Sequence, residues 1–185
     1  MSLTGYVAAT PLRYVLNPAL VTIGTGAGLR RFALRGAVGV TITPNLVMPE
    51  VDGVPQGVRG NAYLESTGIS ISFTTSDHDN EVLALLNHNS TPVVASGDTV
   101  WTPRPNFQLL PDTAYVTDLR VTALRTSNPV AYEQYHVPIA LLTQPQPTYG
   151  QNREKLITLT FVGMAPASDP QGAVYTHGIY DNLPA

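Results

Sequence analysis

One pattern constrains this 185-residue chain more than any other: apolar and small hydroxyl side chains alternate with a period of two. Ile69, Ile71 and Phe73 alternate with Ser70, Ser72 and Thr74, and Ile157, Leu159 and Phe161 alternate with Thr158 and Thr160. Val38, Val40 and Ile42 interleave with Gly39, Thr41 and Thr43. Leu119, Val121 and Ala123 interleave with Asp118, Arg120 and Thr122. Successive side chains of a strand point to opposite faces, so each stretch reads as a half-buried antiparallel strand. Tyr135, Val137, Ile139 and Leu141 make a fifth stretch. Pro138 inside it has no N–H to donate, which places it at an edge or a bulge. Phe32 with Leu34, and Val174 through Tyr180, are weaker strand candidates.

One helix is expected. Ser76 and Asp77 suit an N-cap, Asp79 and Glu81 set negative charge on the first turn, and Val82, Leu83, Leu85 and Leu86 form an apolar stripe. It should stop near Asn87 to Asn89, before Pro92. The expected fold is therefore all-β with one short flanking α-helix, an antiparallel sandwich or barrel. Pro44 to Thr67, with three prolines and three glycines, is too long for a hairpin turn and reads as a projecting loop. Ser90 to Thr113, around Trp101, reads as a second irregular stretch. The ends, before Arg13 and after Ala165, read as arms. The organisation expected is an N-terminal arm and first strands over 1–30 and a β core over 31–165. That core includes a helix at about 77–88 and a loop at about 44–67; a C-terminal extension follows over 166–185. No internal repeat of fixed period is evident.

Composition adds a constraint on the surface. Charged residues are 12% of the chain, against roughly 25% in an ordinary soluble domain. The apolar share of 43% is unexceptional, so Ser, Thr, Asn, Gln, Pro and Gly occupy positions where Lys and Glu usually meet water. Desolvating an unpaired ion is costly, so a subunit that buries its exterior against copies of itself keeps charge there low. An extracellular-type β domain with a Thr/Ser-rich face fits the same composition. The net charge of −3 argues against a basic nucleic-acid grip. Lys155 is the only lysine, so the remaining basic residues are arginines, suited to bidentate pairing at interfaces. Cysteine is absent, which excludes disulfides and thiolate metal sites. The first twenty residues lack the apolar core of a secretory signal, and no run is long enough to span a membrane. A soluble chain made in the cytoplasm is expected.

Chemical motifs are sparse. Ser76-Asp77-His78-Asp79-Asn80-Glu81 gathers metal-ligand and acid/base residue types, and a metal-assisted hydrolase would be built on Asp77, His78 and Asp79. Helix-cap chemistry accounts for the same acids. Gly24-Thr25-Gly26-Ala27-Gly28 looks like a phosphate-binding turn, but Leu29 stands where the dinucleotide fingerprint needs its last glycine, so a turn between strands is expected. His88, His136 and His177 show no metal spacing. Asn89-Ser90-Thr91 matches a glycosylation acceptor without a secretory signal to use it. Trp101, Tyr115 and Tyr135 would serve a monomeric β-sandwich carbohydrate-binding module as stacking rings. No catalytic, cofactor-binding or metal-ligating residue is assigned, no cofactor is expected, and the chain is not expected to be an enzyme.

The order of parts resembles the major tail tube proteins of tailed bacteriophages. The alternating strand Gly68 to Thr75 runs straight into the helix Ser76 to Leu86, with its Glu-Val-Leu-Ala-Leu-Leu run. A Pro-rich excursion follows, then the strands around Leu119 to Leu124 and Tyr135 to Leu141. Last comes Asn152-Arg153-Glu154-Lys155 feeding the strand that ends at Gly163 and Met164. The resemblance spans about residues 30 to 165 and is one of layout. It implies a tail-tube β-sandwich or barrel whose hexameric rings stack into a passive conduit for DNA ejection, related to contractile and type VI inner tubes. Implied partners are other copies of the chain, the tape measure, terminator and distal tail proteins, and double-stranded DNA in transit, with no membrane insertion. The implied location is the virion tail. Six copies lending about four strands each would close a barrel roughly 45–50 Å across at the backbone.

Overall fold

The structure, a computed structural model, describes residues 6–8, 12–16, 19–47, 63–77, 87, 90–96, 98–103, 115–127, 130–143, 146–149 and 155–181. Every alternating stretch is a strand. In chain order the strands are β1 (Tyr6–Ala8), β2 (Leu12–Leu16), β3 (Ala19–Ile23), β4 (Arg30–Arg31), β5 (Val38–Val47), β6 (Tyr63–Thr75), β7 (Ser90–Ala95), β8 (Asp98–Pro103), β9 (Tyr115–Ser127), β10 (Val130–Leu142), β11 (Gln146–Tyr149), β12 (Lys155–Gly163) and β13 (Thr176–Tyr180). Among the described residues the only helical turn is a 3-10 turn at Gly26–Gly28. The fold is antiparallel and nearly all-β. The expected helix at about 77–88 falls almost wholly outside the described residues.

The main sheet runs β1-β5-β6-β12-β10-β9-β3-β4, with β2 also on β5, β11 also on β12 and β13 also on β10. The path is open, but it folds over on itself so that its apolar face meets its own far half. Tyr14 of β2 lies 6.0 Å from Tyr135 of β10, Phe32 beyond β4 lies 5.0 Å from Phe73 of β6, and Phe73 stacks on Phe161 of β12 at 5.9 Å. Val38, Val40, Ile69, Ile71, Leu119, Val121, Val137, Ile157 and Leu159 fill the space between, all 2% exposed or less. These are apolar members of the alternating stretches. The period-two pattern predicted most of the core, but its phase slips at Pro138: Tyr135 and Val137 are buried, and beyond the proline Ala140 and Leu142, not Ile139 and Leu141, continue the core.

Residues 32–35 tie β3, next to last on one side of the path, to β6, third from the other end. Phe32 N donates to the carbonyl of Val21 on β3, while Arg35 N donates to Thr74 and Ser76 N to Ala33. A bridge pairs Leu34 with Thr75. The buried Thr75 hydroxyl donates to the Ala33 carbonyl and accepts from Asp77 N, so burial leaves it satisfied.

Pro138 is tolerated inside β10 because its neighbour changes there. Pairing to β13 ends at His136–Thr176, and pairing to β12 begins at Ala140–Gly163. On the other side Pro138 faces Asp118 of β9, between the pairs Val137–Leu119 and Ile139–Thr117. Asp118 has φ 52°, a left-handed conformation that Asp accepts better than most residues. The expectation of an edge or bulge for this proline is thus met by a change of partner within one long strand.

Several boundaries differ from expectation. The flanks of the expected loop Pro44 to Thr67 are strand: β5 continues through Val47 and β6 starts at Tyr63, with Pro44 opposite Thr67. A register shift at Asn45/Leu46 absorbs the irregularity that the proline brings. Residues 48–62 lie outside the described residues. The stretch Ser90 to Thr113 is not wholly irregular, since β7 and β8 form a hairpin of their own, with Pro92 opposite Trp101. An isolated two-stranded sheet needs no proline-free middle, because both of its outer edges are open. The chain ends are also more regular than arms. β1 and β2 pair with β5, and β13 pairs with β10. β13 falls within the weaker strand candidate Val174 to Tyr180.

Candidate assembly surfaces

From Gly39–Ser72 to Thr43–Gly68 on β5 and β6, and along β12 from Ile157 to Val162, the face opposite the core bears no ionisable side chain among the described residues. It carries Thr41 and Thr43, then Ser70, Ser72 and Thr74, then Thr158 and Thr160, all half-buried. Cross-strand register brings Thr74 beside Thr158 and Ser72 beside Thr160. The Thr74 and Thr158 hydroxyls are 3.0 Å apart, and Thr160 Oγ1 donates to Ser72 Oγ at 3.3 Å. Asn45 Nδ2 extends the network to Ser66 Oγ at 2.7 Å. Hydroxyls that bond one another present little unmet hydrogen-bonding capacity and no net charge. Such a face neither attracts nor repels a polyanion strongly.

Apolar side chains are exposed where strands lack neighbours. On the β7–β8 hairpin, Val93, Val94 and Val100 are 53%, 70% and 60% exposed. A lone two-stranded hairpin is at best marginally stable in water, and these valines offer it no core of its own. At the far end of β9, β10 and β13, register aligns the exposed Leu124 and Tyr180 on either side of Tyr132. Leu12 on β2 and Leu64 on β6 are exposed as well.

Polar residues singled out in the sequence are absorbed by the fold. Asp77 Oδ2 accepts from the backbone N–H of Ala33 at 2.8 Å, which makes it a clasp between the end of β6 and the segment that follows β4. His78, Asp79, Asn80 and Glu81 lie outside the described residues, as does His88. His136 donates from Nε2 to Asp118 Oδ1 at 2.9 Å, and the same oxygen lies 3.8 Å from Arg120 Nη2. His177 donates to Glu133 Oε1 at 2.9 Å, and the Tyr135 hydroxyl donates to that oxygen too. The two histidines serve separate carboxylates. Among the described residues no group of three or more His, Cys, Asp or Glu is placed to hold a metal.

Of the rings expected to stack, Tyr135 is wholly buried and so is not an exposed stacking surface, and Tyr115 is half-buried on β9. Trp101 belongs to the separate β7–β8 sheet. Burial, with the Glu133 hydrogen bond and charge behind it, pushes the Tyr135 phenol well above the usual tyrosine range. Gly24 to Gly28 forms the turn between β3 and β4, with Gly24 at φ 74° and a Cβ there meeting Gly28 O at 2.6 Å. The glycines shape a turn, as expected.

No protein-family model matches the chain, and no curated protein matches it. Among solved structures it is similar to one described as "Crystal structure of Hcp protein", at 15% sequence identity and a TM-score of 0.40. That likeness covers 94% of this chain and 99% of the other.

Sequence reasoning missed Glu133 and the clasp role of Asp77. Both act through partners 44 residues away in sequence, so no local pattern announces them.

Proposed function

We propose that this chain is a structural subunit whose copies assemble into a tube of the tail-tube kind, and that it works without catalysis. The observation that carries this reading is the pairing of two surfaces on one small fold. One is a hydroxyl-lined sheet face without ionisable side chains among the described residues, and the other is a set of exposed apolar strands that a lone subunit leaves in water. Uncharged strand faces suit a wall past which a polyanion moves without sticking. Exposed valines on an otherwise unsupported hairpin suit a subunit contact, since covering them removes apolar surface from water at about 25 cal/mol per Å². Joining sheet edges between copies also removes strand edges that are aggregation hazards.

The finer reading follows the layout resemblance. Hexameric rings stack into a conduit for DNA ejection in a phage tail. Tape measure, terminator and distal tail proteins are the partners that this location supplies. Negative-stain microscopy of the purified protein, with light scattering to give the mass, tests the proposal. Rings or tubes are expected at high protein concentration. A monodisperse monomer there overturns it.

A further inference from the structure

We infer that the Asp169–Pro170 peptide bond is a self-cleavage site, whose hydrolysis turns the last strand, β13, into a bound peptide. The inference stands apart from assembly. The dipeptide occurs once in the chain. It lies between β12 and β13, and both of its residues are exposed. Gly172 N donates to the Asp169 carbonyl at 2.9 Å, and Asp169 N donates to the Pro166 carbonyl at 3.0 Å. Asp169 to Gly172 thus forms a reverse turn with Asp first, Pro second and Gly fourth, the order that a type I turn favours. A Cβ on Gly172 would fall 2.5 Å from Asp169 Oδ2, 2.8 Å from Asp169 Cγ and 3.0 Å from Asp169 O. The side-chain carboxylate and the main-chain carbonyl of Asp169 therefore converge on one small space, open because residue 172 has no side chain. Among the described residues the carboxylate has no hydrogen-bond or ion-pair partner to hold it away from that carbonyl.

Three groups supply the chemistry. A carboxylate oxygen of Asp169 adds to the Asp169 carbonyl carbon and closes a five-membered ring, while the Gly172 N–H stays on the carbonyl oxygen as charge builds there. The Pro170 nitrogen, a tertiary amide without an N–H, takes a proton from solvent as its bond to that carbon breaks. The products are a cyclic anhydride on residue 169 and a secondary amine on residue 170. Water then opens the anhydride to two carboxylates, and its protons go to solvent. One peptide bond is hydrolysed and one water is consumed. The severed piece stays in place. The backbone pairs from His136–Thr176 to Tyr132–Tyr180 still bind β13 to β10, and Val174 and Tyr175 still pack against the core.

The test incubates the purified full chain with protease inhibitors in mildly acidic and in neutral buffer. A second sample is held unfolded in guanidinium chloride at the same pH, and both are followed by denaturing mass spectrometry. Expected are fragments 1–169 and 170–185 whose masses sum to the intact chain plus one water. The folded chain should yield them about tenfold or more faster than the unfolded one. Size-exclusion chromatography should keep the two fragments in one peak. Asp169→Ala and Pro170→Ala should each slow cleavage about tenfold or more, and Gly172→Ala should slow it by pushing the carboxylate out of the turn. Circular dichroism confirms that each variant folds. Pro170→Ala leaves the carboxylate and the Gly172 N–H in place, so it serves where Gly172→Ala distorts the turn. Folded and unfolded chains that cleave at one rate overturn the site, because the lability is then that of any Asp–Pro bond. An intact chain, or cleavage undiminished by Asp169→Ala, overturns it too. Fragments that separate overturn the bound-peptide outcome.

Discussion

The imidazole of His177 lies flat against the ring of Tyr135, with centroids 4.4 Å apart and planes 8° from parallel. The two residues are cross-strand partners of β13 and β10. Both rings also direct a hydrogen bond to Glu133 Oε1, at 2.9 Å each. The last strand is therefore held to the sheet by one stacked pair and one shared carboxylate, since most of its other side chains are exposed.

Replacing His177 with Ala should loosen β13 selectively. Losing the stack and the hydrogen bond is expected to cost about 1–2 kcal/mol. Hydrogen exchange at residues 176–180 should accelerate about tenfold, while β6 and β12 amides stay protected. Uniform acceleration across the sheet would show that β13 is integral to the global fold instead.

Tyr135 makes an alkaline prediction. Its pKa is raised on folding, by burial first and then by the Glu133 hydrogen bond and charge. The stability this contributes is fully present below the unfolded tyrosine value of about 10 and is lost as pH rises through the folded value. Between those two values the unfolded state has released the proton and the folded state has not, so stability should fall by up to about 1.4 kcal/mol per pH unit from this group. Denaturant unfolding from pH 9 to 11.5 should show the decline, and Tyr135→Phe should remove this group's share of it. An unchanged slope in the variant would assign the decline to other groups.

Gly163 occupies a position with no room for a side chain. A Cβ there would meet Ile69 Cγ2 at 2.5 Å, Val137 Cγ1 at 3.1 Å and the Val174 carbonyl at 3.3 Å. Gly163→Ala is expected to destabilise by about 1–3 kcal/mol through overpacking. In a chain of this size each kcal/mol lowers Tm by about 2–4 °C, which scanning calorimetry resolves.

The Asp77 clasp separates charge from geometry. Asp77→Ala removes the acceptor for Ala33 N–H and should cost about 1–3 kcal/mol. Asp77→Asn keeps an acceptor oxygen and should recover most of that. Equal losses in chemical denaturation would place the effect in the carboxylate charge rather than in the hydrogen bond.

Val94 and Val100 bear on assembly. Substituting both by Ser should leave the monomer's unfolding transition within about 0.5 kcal/mol, as is usual for exposed positions, yet raise the protein concentration needed for rings or tubes. Rings that form undiminished would remove the β7–β8 hairpin from the contact.

The sequence by itself determined the five long alternating strands and, as far as Pro138 in β10, which of their faces turn inward. Alternation is a local property, and Ile69, Ile71 and Phe73 state their side of the sheet without reference to anything distant. The glycine turn at 24–28 was legible for the same reason: backbone conformation there depends on neighbours one or two residues away. Only the tertiary structure decided which strands meet. Register sets Arg31, Thr22 and Arg120 in one row from three separate strands, and it brings Glu133 to His177 and Asp77 to Ala33 over 44 residues each. Pairing over such separations is chosen by the whole apolar face finding its complement, a sum over many side chains that no single stretch of sequence encodes.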